Sequence, residues 1–415
     1  MFESLLSTAK SKFDLTLPED QASLYQLTAQ VAQLEGGDLA TLKEIARKSD
    51  TPLEFKLAVK LVESRRYVET IKKPLKLAVV FAMWGEQNRL RPKSAENPNG
   101  EDALRVKLDQ LNWLFDGSPV DWQVFPVDDG DPNRSGDIAQ EIADAHPLGT
   151  RVSVCYLANE IPVATGPLRT LDDVNDSRKG GAIILGCMKA LENGADVVIY
   201  TDADNSVHLG QTGILLRAYL EDGFRVVLGN RRHPDSILVK QEGRWGIGIK
   251  VLRHMQRMVG QAIFSGEFRD TQAAFKLFEA RVLAEILNRR TVFDFSFDTD
   301  WIFATIAMGV PYSTVPFAFI DSFAESASIT QGPMTTWERL LKGLVIQVRA
   351  HGIPHNEAMA KLIDEEIQTS SDLDLIINHL PQELDDATQD DFGNPDVMSP
   401  EALQAWIQER KKEAL

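Results

Sequence analysis

Three apolar runs limit what this chain can become. Each is long enough for a buried strand, each ends in polar residues, and helix-like spacing separates them. Leu75 to Phe81, Trp122 to Val127 and Val197 to Thr201 are rich in β-branched and aromatic residues. The second runs into Asp128-Asp129-Gly130, and the third into Asp202-Ala203-Asp204. Helical patterns at Leu104 to Phe115 and Gly180 to Leu191 alternate with further short strands at Val152 to Leu157 and Arg225 to Leu228. Such alternation predicts an α/β fold with a doubly wound sheet, whose ligand sits at the carboxyl ends of the strands.

The tip of the third run carries the chemistry. Side chains alternate along an extended chain, so Asp202 and Asp204 point to one side, close enough to share a hard cation and its oxygen-rich ligand. An isolated D-x-D is as often a strand cap, and other motifs have to decide its meaning.

Composition bounds the rest. The chain has 415 residues, long enough for two or three structural units. Residues 1–72 carry helical spacing, as in Leu24, Leu27, Val31 and Leu34, and read as a helical extension suited to packing or oligomer formation. Residues 73–330 form the sheet-bearing domain. Residues 331–415 turn helical again, and positions 356–400 hold twelve acids against the single base Lys361, which predicts a solvated, partly disordered tail dispensable for nucleotide binding. A net charge of −17 argues against nucleic acid, because phosphate backbones reward basic faces. No apolar run reaches a bilayer's width and nothing resembles a signal peptide, so the expectation is a cytoplasmic protein, at most peripheral to a membrane. Cys155 and Cys187 read as small core residues.

Seven stretches, in order, resemble family 2 glycosyltransferases of the GT-A fold, especially the dolichyl-phosphate glucosyltransferase and polyprenyl-phosphate mannosyltransferase branch. Val79 to Leu90 is similar to the opening strand and its P-A-Y-N-E-E loop, keeping Glu86 but carrying Ala82, Trp84 and Gly85 at the Pro, Tyr and Asn positions. Val127-Asp128-Asp129-Gly130-Asp131 resembles the V-D-D-G-S turn, and Arg178-Lys179-Gly180-Gly181-Ala182 the G-K-G-x-A segment. Asp202-Ala203-Asp204 is the D-x-D. Leu228-Gly229-Asn230-Arg231-Arg232 resembles the G-S-R strand end, and the string from Arg269 and Asp270 through Gln272 to Phe278 resembles R-D-T-Q-x-G-F-K-L-F, with Ala274 for Gly. Phe297-Asp298-Thr299-Asp300 is similar to F-D-x-E. The likeness covers about 75 to 328 and leaves both ends unexplained.

The resemblance implies a GT-A architecture, a Rossmann-like, doubly wound mixed sheet with helical N- and C-terminal extensions. It implies hexose transfer, with inversion, from a nucleoside diphosphate sugar of the UDP-glucose or GDP-mannose type to a phosphorylated, polyprenyl-phosphate-like or small soluble acceptor. Asp128 and Asp129 would hold base and ribose, with Glu86 also in the substrate site. Arg178, Lys179, Arg231 and Arg232 would supply positive charge near the diphosphate, and Asp270 and Gln272 would line the cleft. The free amides opening the Gly180 helix suit phosphates. Asp202 and Asp204, with His208 as a third ligand, would hold Mg²⁺ or Mn²⁺. Asp298 would face the acceptor as a general base or orienting group, with Lys179 and Asp204 beside it in catalysis. On the helix before Asp270, Leu252, Met255, Val259 and Ile263 fall on one stripe, and Arg253 and Arg257 fall on another that suits an acceptor phosphate. A sugar-1-phosphate nucleotidyltransferase is the alternative, from the G-E-Q-N-R-L-R-P loop after the first strand, although Gly85 is the sole glycine there.

Overall fold

The computed structural model describes residues 2–34, 38–240, 246–265, 268, 270–321 and 333–414. Helices α1 (Phe2–Thr8), α2 (Pro18–Ala32), α3 (Leu39–Arg47) and α4 (Leu53–Val68) precede strand β1 (Leu75–Met83). Alternation follows through α5 (Ala103–Phe115), β2 (Val120–Asp128), α6 (Ser135–Ala145), β3 (Cys155–Tyr156), α7 (Gly180–Glu192), β4 (Val197–Thr201), α8 (Thr212–Leu220) and β5 (Val226–Asn230). After β6 (Ile237–Val239) come α9 (Ile249–Val259), α10 (Gln261–Phe264), β7 (Phe275–Glu279), α11 (Ala280–Arg289), α12 (Phe297–Ala307), β8 (Tyr312–Pro316) and β9 (Ala318–Ile320). The C-terminal part is helical, with Pro333–Ala350, Glu357–Glu366 and Pro400–Glu413 as its longer helices.

Among the described residues the main sheet has seven strands in the order β3-β2-β1-β4-β7-β5-β8, while β6 and β9 pair as a separate ribbon. The ladders are parallel except those of β7, which runs antiparallel to both β4 and β5. Helices cover both faces, which is why β1 and β4 read as continuous apolar runs rather than alternating ones. Val80, Val198 and Tyr200 face α7, α11 and α12, whereas Val79, Phe81 and Ile199 face α5 and α8. At Gly186 a Cβ would stand 2.4 Å from Val80 Cγ1, so the missing side chain lets α7 lie directly on β1.

The strand expected at Val152 to Leu157 shrinks to Cys155–Tyr156, with Val152 making an isolated bridge to Val124. The amphipathic run after Leu252 breaks at Gly260 into α9 and α10. The N-terminal helices form their own apolar cluster, and α4 locks onto α8 where Gly213 N donates to Ser64 Oγ at 2.8 Å. The acidic C-terminal segment corrects the sequence reading. Trp337, Leu341, Leu344, Val348, Ile363, Ile376 and Leu403 belong to the same buried cluster as β4, α9 and α12. Its acids occupy the outer faces of helices whose inner faces complete the main core. Among the described residues, no helix is long and apolar enough to cross a membrane.

Candidate active site

The strand order reverses around β1, with β2 on one side and β4 on the other, and this switch opens a crevice at the carboxyl ends. A cavity of about 250 Å³ lies there, lined by Trp84 and Glu86 after β1, Asp129 after β2, Asp202 and Asp204 after β4, and Arg178 and Lys179 before α7. Val174, Asn175 and Phe295 close its sides.

Lys179 binds Asp202 Oδ1 through its ammonium group. Burial works against the Asp202 charge, but Lys179 outweighs it and, with Arg231 and Lys107, holds the carboxyl below the ordinary carboxylate range. Lys179 is in turn raised, because Asp202 and then Asp298 outweigh its own desolvation. The turn that delivers it is strained: Arg178 has φ 41° and Lys179 φ 82°, two consecutive side-chain-bearing residues in a region that favours glycine. The backbone is fixed there by Lys179 N donating to Asp129 Oδ2 at 2.7 Å. The opening amides of α7 are not free as expected, since Gly181 N donates to Phe293 O at 3.1 Å and Ala182 N to Ser177 Oγ at 3.2 Å. Positive charge in the crevice therefore comes from side chains.

Asp128 and Asp129 divide their roles. Asp128 accepts from the backbone amides of Gly130, Asp131 and Gly136 at 2.8–3.0 Å, so its carboxylate holds the turn and does not reach the crevice. Asp129 Oδ1 is buried with no hydrogen-bond partner among the described residues, and burial pushes this carboxyl up to about 7. Glu86 also lines the crevice. Burial raises it to about 7 against the pull of Arg89, which sits 3.0 Å away. Arg89 bonds Glu101 at 3.1 Å as well, so the loop resembling a nucleotidyltransferase motif holds its arginine between two acids. That arrangement leaves the arginine engaged with side chains of its own loop and of the stretch just before α5, which does not favour the alternative reading.

A support beneath Asp204 was missed in the sequence. Lys107 of α5 is fully buried and its Nζ donates to the Asp204 carbonyl at 2.5 Å, while Glu101 receives Asn205 N at 2.8 Å. The signal was present, because Lys107 lies in phase with Leu104, Leu108 and Leu111 on the inward stripe of α5.

Asp202 and Asp204 fit a divalent cation whose other ligands are diphosphate oxygens and water, a donor set typical of Mg²⁺. The described residues contain no group of three or more His, Cys, Asp or Glu side chains that could hold a metal by themselves. His208 does not complete the shell. It is fully buried on the N-terminal side, its ring 5.7 Å from Tyr25 and its Nδ1 accepting from Gly210 N at 3.0 Å. Burial drives its pKa down to about 3.

Around the crevice rim, Arg231 grips Asp270 through two bonds of 2.6 and 2.9 Å, so these two residues satisfy each other. Gln272 follows with a buried Nε2 that has no partner among the described residues. Arg269 lies outside the described residues. Arg253 is lowered by burial and then by the neighbouring Arg232, and Lys240 is lowered to about 8 by burial, Arg231 and Arg232 acting with it. Arg232, Lys240 and Arg253 thus share one region, and none has a carboxylate within ion-pair distance among the described residues. Arg257 is corrected: it is buried against the C-terminal segment, bonded to Gln389 and 5.5 Å from the Phe392 ring. Asp298, at the start of α12, is buried and accepts from Lys276 at 2.5 Å and from the Tyr200 hydroxyl, both on Oδ1. Oδ2 takes neither bond.

No protein-family model matches the chain. Over 212 residues it is 28% identical to the undecaprenyl-phosphate mannosyltransferase of Micrococcus luteus, a match spanning 51% of this chain and 76% of that protein. Solved structures resemble this chain more loosely. Mannosyl-3-phosphoglycerate synthase from Rubrobacter xylanophilus shares 13% identity over 71% of this chain and 79% of that chain, with a TM-score of 0.44. For glucosyl-3-phosphoglycerate synthase from Mycobacterium tuberculosis in complex with Mn²⁺, UDP-glucose and phosphoglyceric acid, identity is 12% over 71% of this chain and 85% of that chain, with a TM-score of 0.43.

Proposed function

We propose that this chain is a glycosyltransferase of the GT-A type that moves a hexosyl group, with inversion, from a nucleoside diphosphate sugar to an acceptor that carries a phosphate. The observation that supports this most is the meeting of Asp202, Asp204, Lys179 and the unpartnered Asp129 Oδ1 in one crevice at the sheet's switch point. Asp129 accepts hydrogen bonds from the ribose or base. Lys179 meets the diphosphate, aided by the Arg178 side chain, whose Nε is buried without a partner among the described residues. Asp202 and Asp204 would hold Mg²⁺ or Mn²⁺, which would supply positive charge to the departing diphosphate. Lys179 then shifts from Asp202 toward the phosphates.

On the acceptor side, the attacking oxygen bonds to the anomeric carbon as the bond to the diphosphate oxygen breaks. Lys276 and Tyr200 fix Asp298 through Oδ1, leaving Oδ2 to take the proton of a hydroxyl acceptor or to orient an ionised phosphate. Arg232, Lys240 and Arg253 form the acceptor-phosphate cluster, a role the sequence reading gave to Arg253 and Arg257. Calorimetry with UDP and GDP should show binding that depends on Mn²⁺ and collapses on chelation, and Asp204→Ala should lose it. Product analysis should then offer a polyprenyl phosphate, 3-phosphoglycerate and neutral sugars. Arg253→Ala should weaken use of phosphorylated acceptors selectively; glycosylation of neutral sugars alone would overturn the acceptor assignment.

A further inference from the structure

A cavity larger than the crevice lies away from it. It measures about 1090 Å³ against about 250 Å³ for the crevice and opens between the N-terminal helices and the β6–β9 ribbon. Helix α4 turns Lys56, Val59, Lys60 and Glu63 toward it, positions that share one helical face. Across from them the ribbon presents Ile237, Val239 and Ile320.

The described lining carries six acids and five bases, and Asp20 pairs with Lys10 at 2.5 Å and Asp14 with Lys93 at 3.6 Å. Lys43 pairs with Glu63 at 2.5 Å and Arg47 with Asp235 at 2.6 Å. Lys60 is 6% exposed and has no carboxylate within ion-pair distance among the described residues; its nearest acceptor is the Pro316 carbonyl at 3.5 Å. Burying an ammonium with no carboxylate in contact is costly; burial works against the Lys60 charge, Glu63 and Asp235 favour it only from beyond ion-pair distance, and a 3.5 Å contact to one carbonyl adds little. A wall of aliphatic side chains facing a desolvated lysine with no contacting carboxylate is complementary to a molecule with an anionic head and an apolar body.

We propose that this cavity is a second binding site, taking a small amphiphilic anion whose phosphate or carboxylate head sits on Lys60 and whose apolar part lies against the ribbon. The ribbon keeps it separate from the crevice: alternation turns Phe319 to the opposite face, where Arg231 stands 5.0 Å above its ring. The assignment does not depend on the transfer reaction.

Octyl phosphate, below its micelle concentration, is the probe, titrated calorimetrically into the full chain beside inorganic phosphate and octanol. One octyl phosphate should bind, more tightly than either fragment. Lys60→Met should weaken it about tenfold or more, as expected for loss of a charge-assisted bond. Ile237→Trp, which crowds the ribbon wall of the cavity, should weaken binding as well, and Asp204→Ala should leave it unchanged while losing nucleotide. Lys60→Met replaces a buried charge that no carboxylate contacts with an apolar chain, so its denaturation midpoint should not fall; if it does, Ile237→Trp decides. Absence of octyl phosphate binding overturns the proposal, as does equal binding to the parent and both cavity variants, or loss in Asp204→Ala.

Discussion

Lys179 joins a strained backbone to a functional charge, so its replacement should separate stability from activity. A non-glycine residue at φ 82° costs about 1–3 kcal/mol. Glycine removes that strain but gains unfolded-state freedom worth about 0.5–1 kcal/mol, so Lys179→Gly should exceed Lys179→Met in stability by roughly 0.5–2 kcal/mol. Both variants lose the bond to Asp202, and their difference isolates the backbone. At about 2.1 cal/mol/K per residue, 415 residues give an unfolding entropy near 0.9 kcal/mol/K, so the gap in Tm is only about 0.5–2 °C. Urea denaturation is therefore the better assay. Nucleotide affinity should fall in both variants by about 1.5–3 kcal/mol, some ten- to 150-fold, as for a lost charge-assisted hydrogen bond. If Lys179→Gly proves no more stable than Lys179→Met, the strain argument is wrong. Unaltered nucleotide binding in both would remove Lys179 from the phosphate site.

Because burial holds Asp129 near 7, nucleotide affinity should rise about tenfold from pH 6 to pH 8 as the carboxylate ionises, and calorimetry on Asp129→Asn should show a flat profile. The sign for stability is opposite: between the ordinary carboxylate range and about 7 the folded chain keeps protons on Asp129 and Glu86 that the unfolded chain releases, so these two groups reduce stability as pH rises through that window, a trend the double Asn/Gln variant should lack in urea titrations. Ending the chain at residue 332 should give an insoluble or unfolded product by circular dichroism, since it strips Leu341, Leu344 and Val348 from the main core. Gly213→Ala would place a Cβ 2.3 Å from the Ser64 carbonyl, and should cost about 1–3 kcal/mol in chemical denaturation by prising α4 from α8.

The parts of the fold governed by local pattern were legible. β1, β2 and β4 are runs buried on both faces, and the acids at two of their tips lie at the switch point that strand alternation implies. Partnership across long separations was not. Arg257 finds Gln389 132 residues away, and no helical stripe can reveal that. His208 sits four residues past Asp204, but the chain turns between them and carries its ring to Tyr25. The choice between Asp128 and Asp129 depends on a turn in which Asp128 binds three amides, a geometry the adjacent pair does not disclose. In the C-terminal segment the density of acids masked an apolar rhythm, Met359, Leu362, Ile363 and then Leu373, Ile376, Ile377, that buries completely or nearly so.

The reversed strand has a consequence for how this chain can change. Loops that follow parallel strands all reach the same rim, and they bring Glu86, Asp129, Asp202 and Asp204 to the crevice proposed for the donor. β7 runs the other way, so the segment that precedes it arrives at that rim too, carrying Asp270 and Gln272. The proposed donor grip comes from the loops after β1, β2 and β4 and the turn before α7, whereas the proposed acceptor cluster draws on Arg232 after β5, Lys240 after β6 and Arg253 of α9. On that reading, changes between β5 and β7 would alter acceptor choice while the proposed nucleotide grip, carried by other loops, stays intact, which would make acceptor choice a separable module of this architecture.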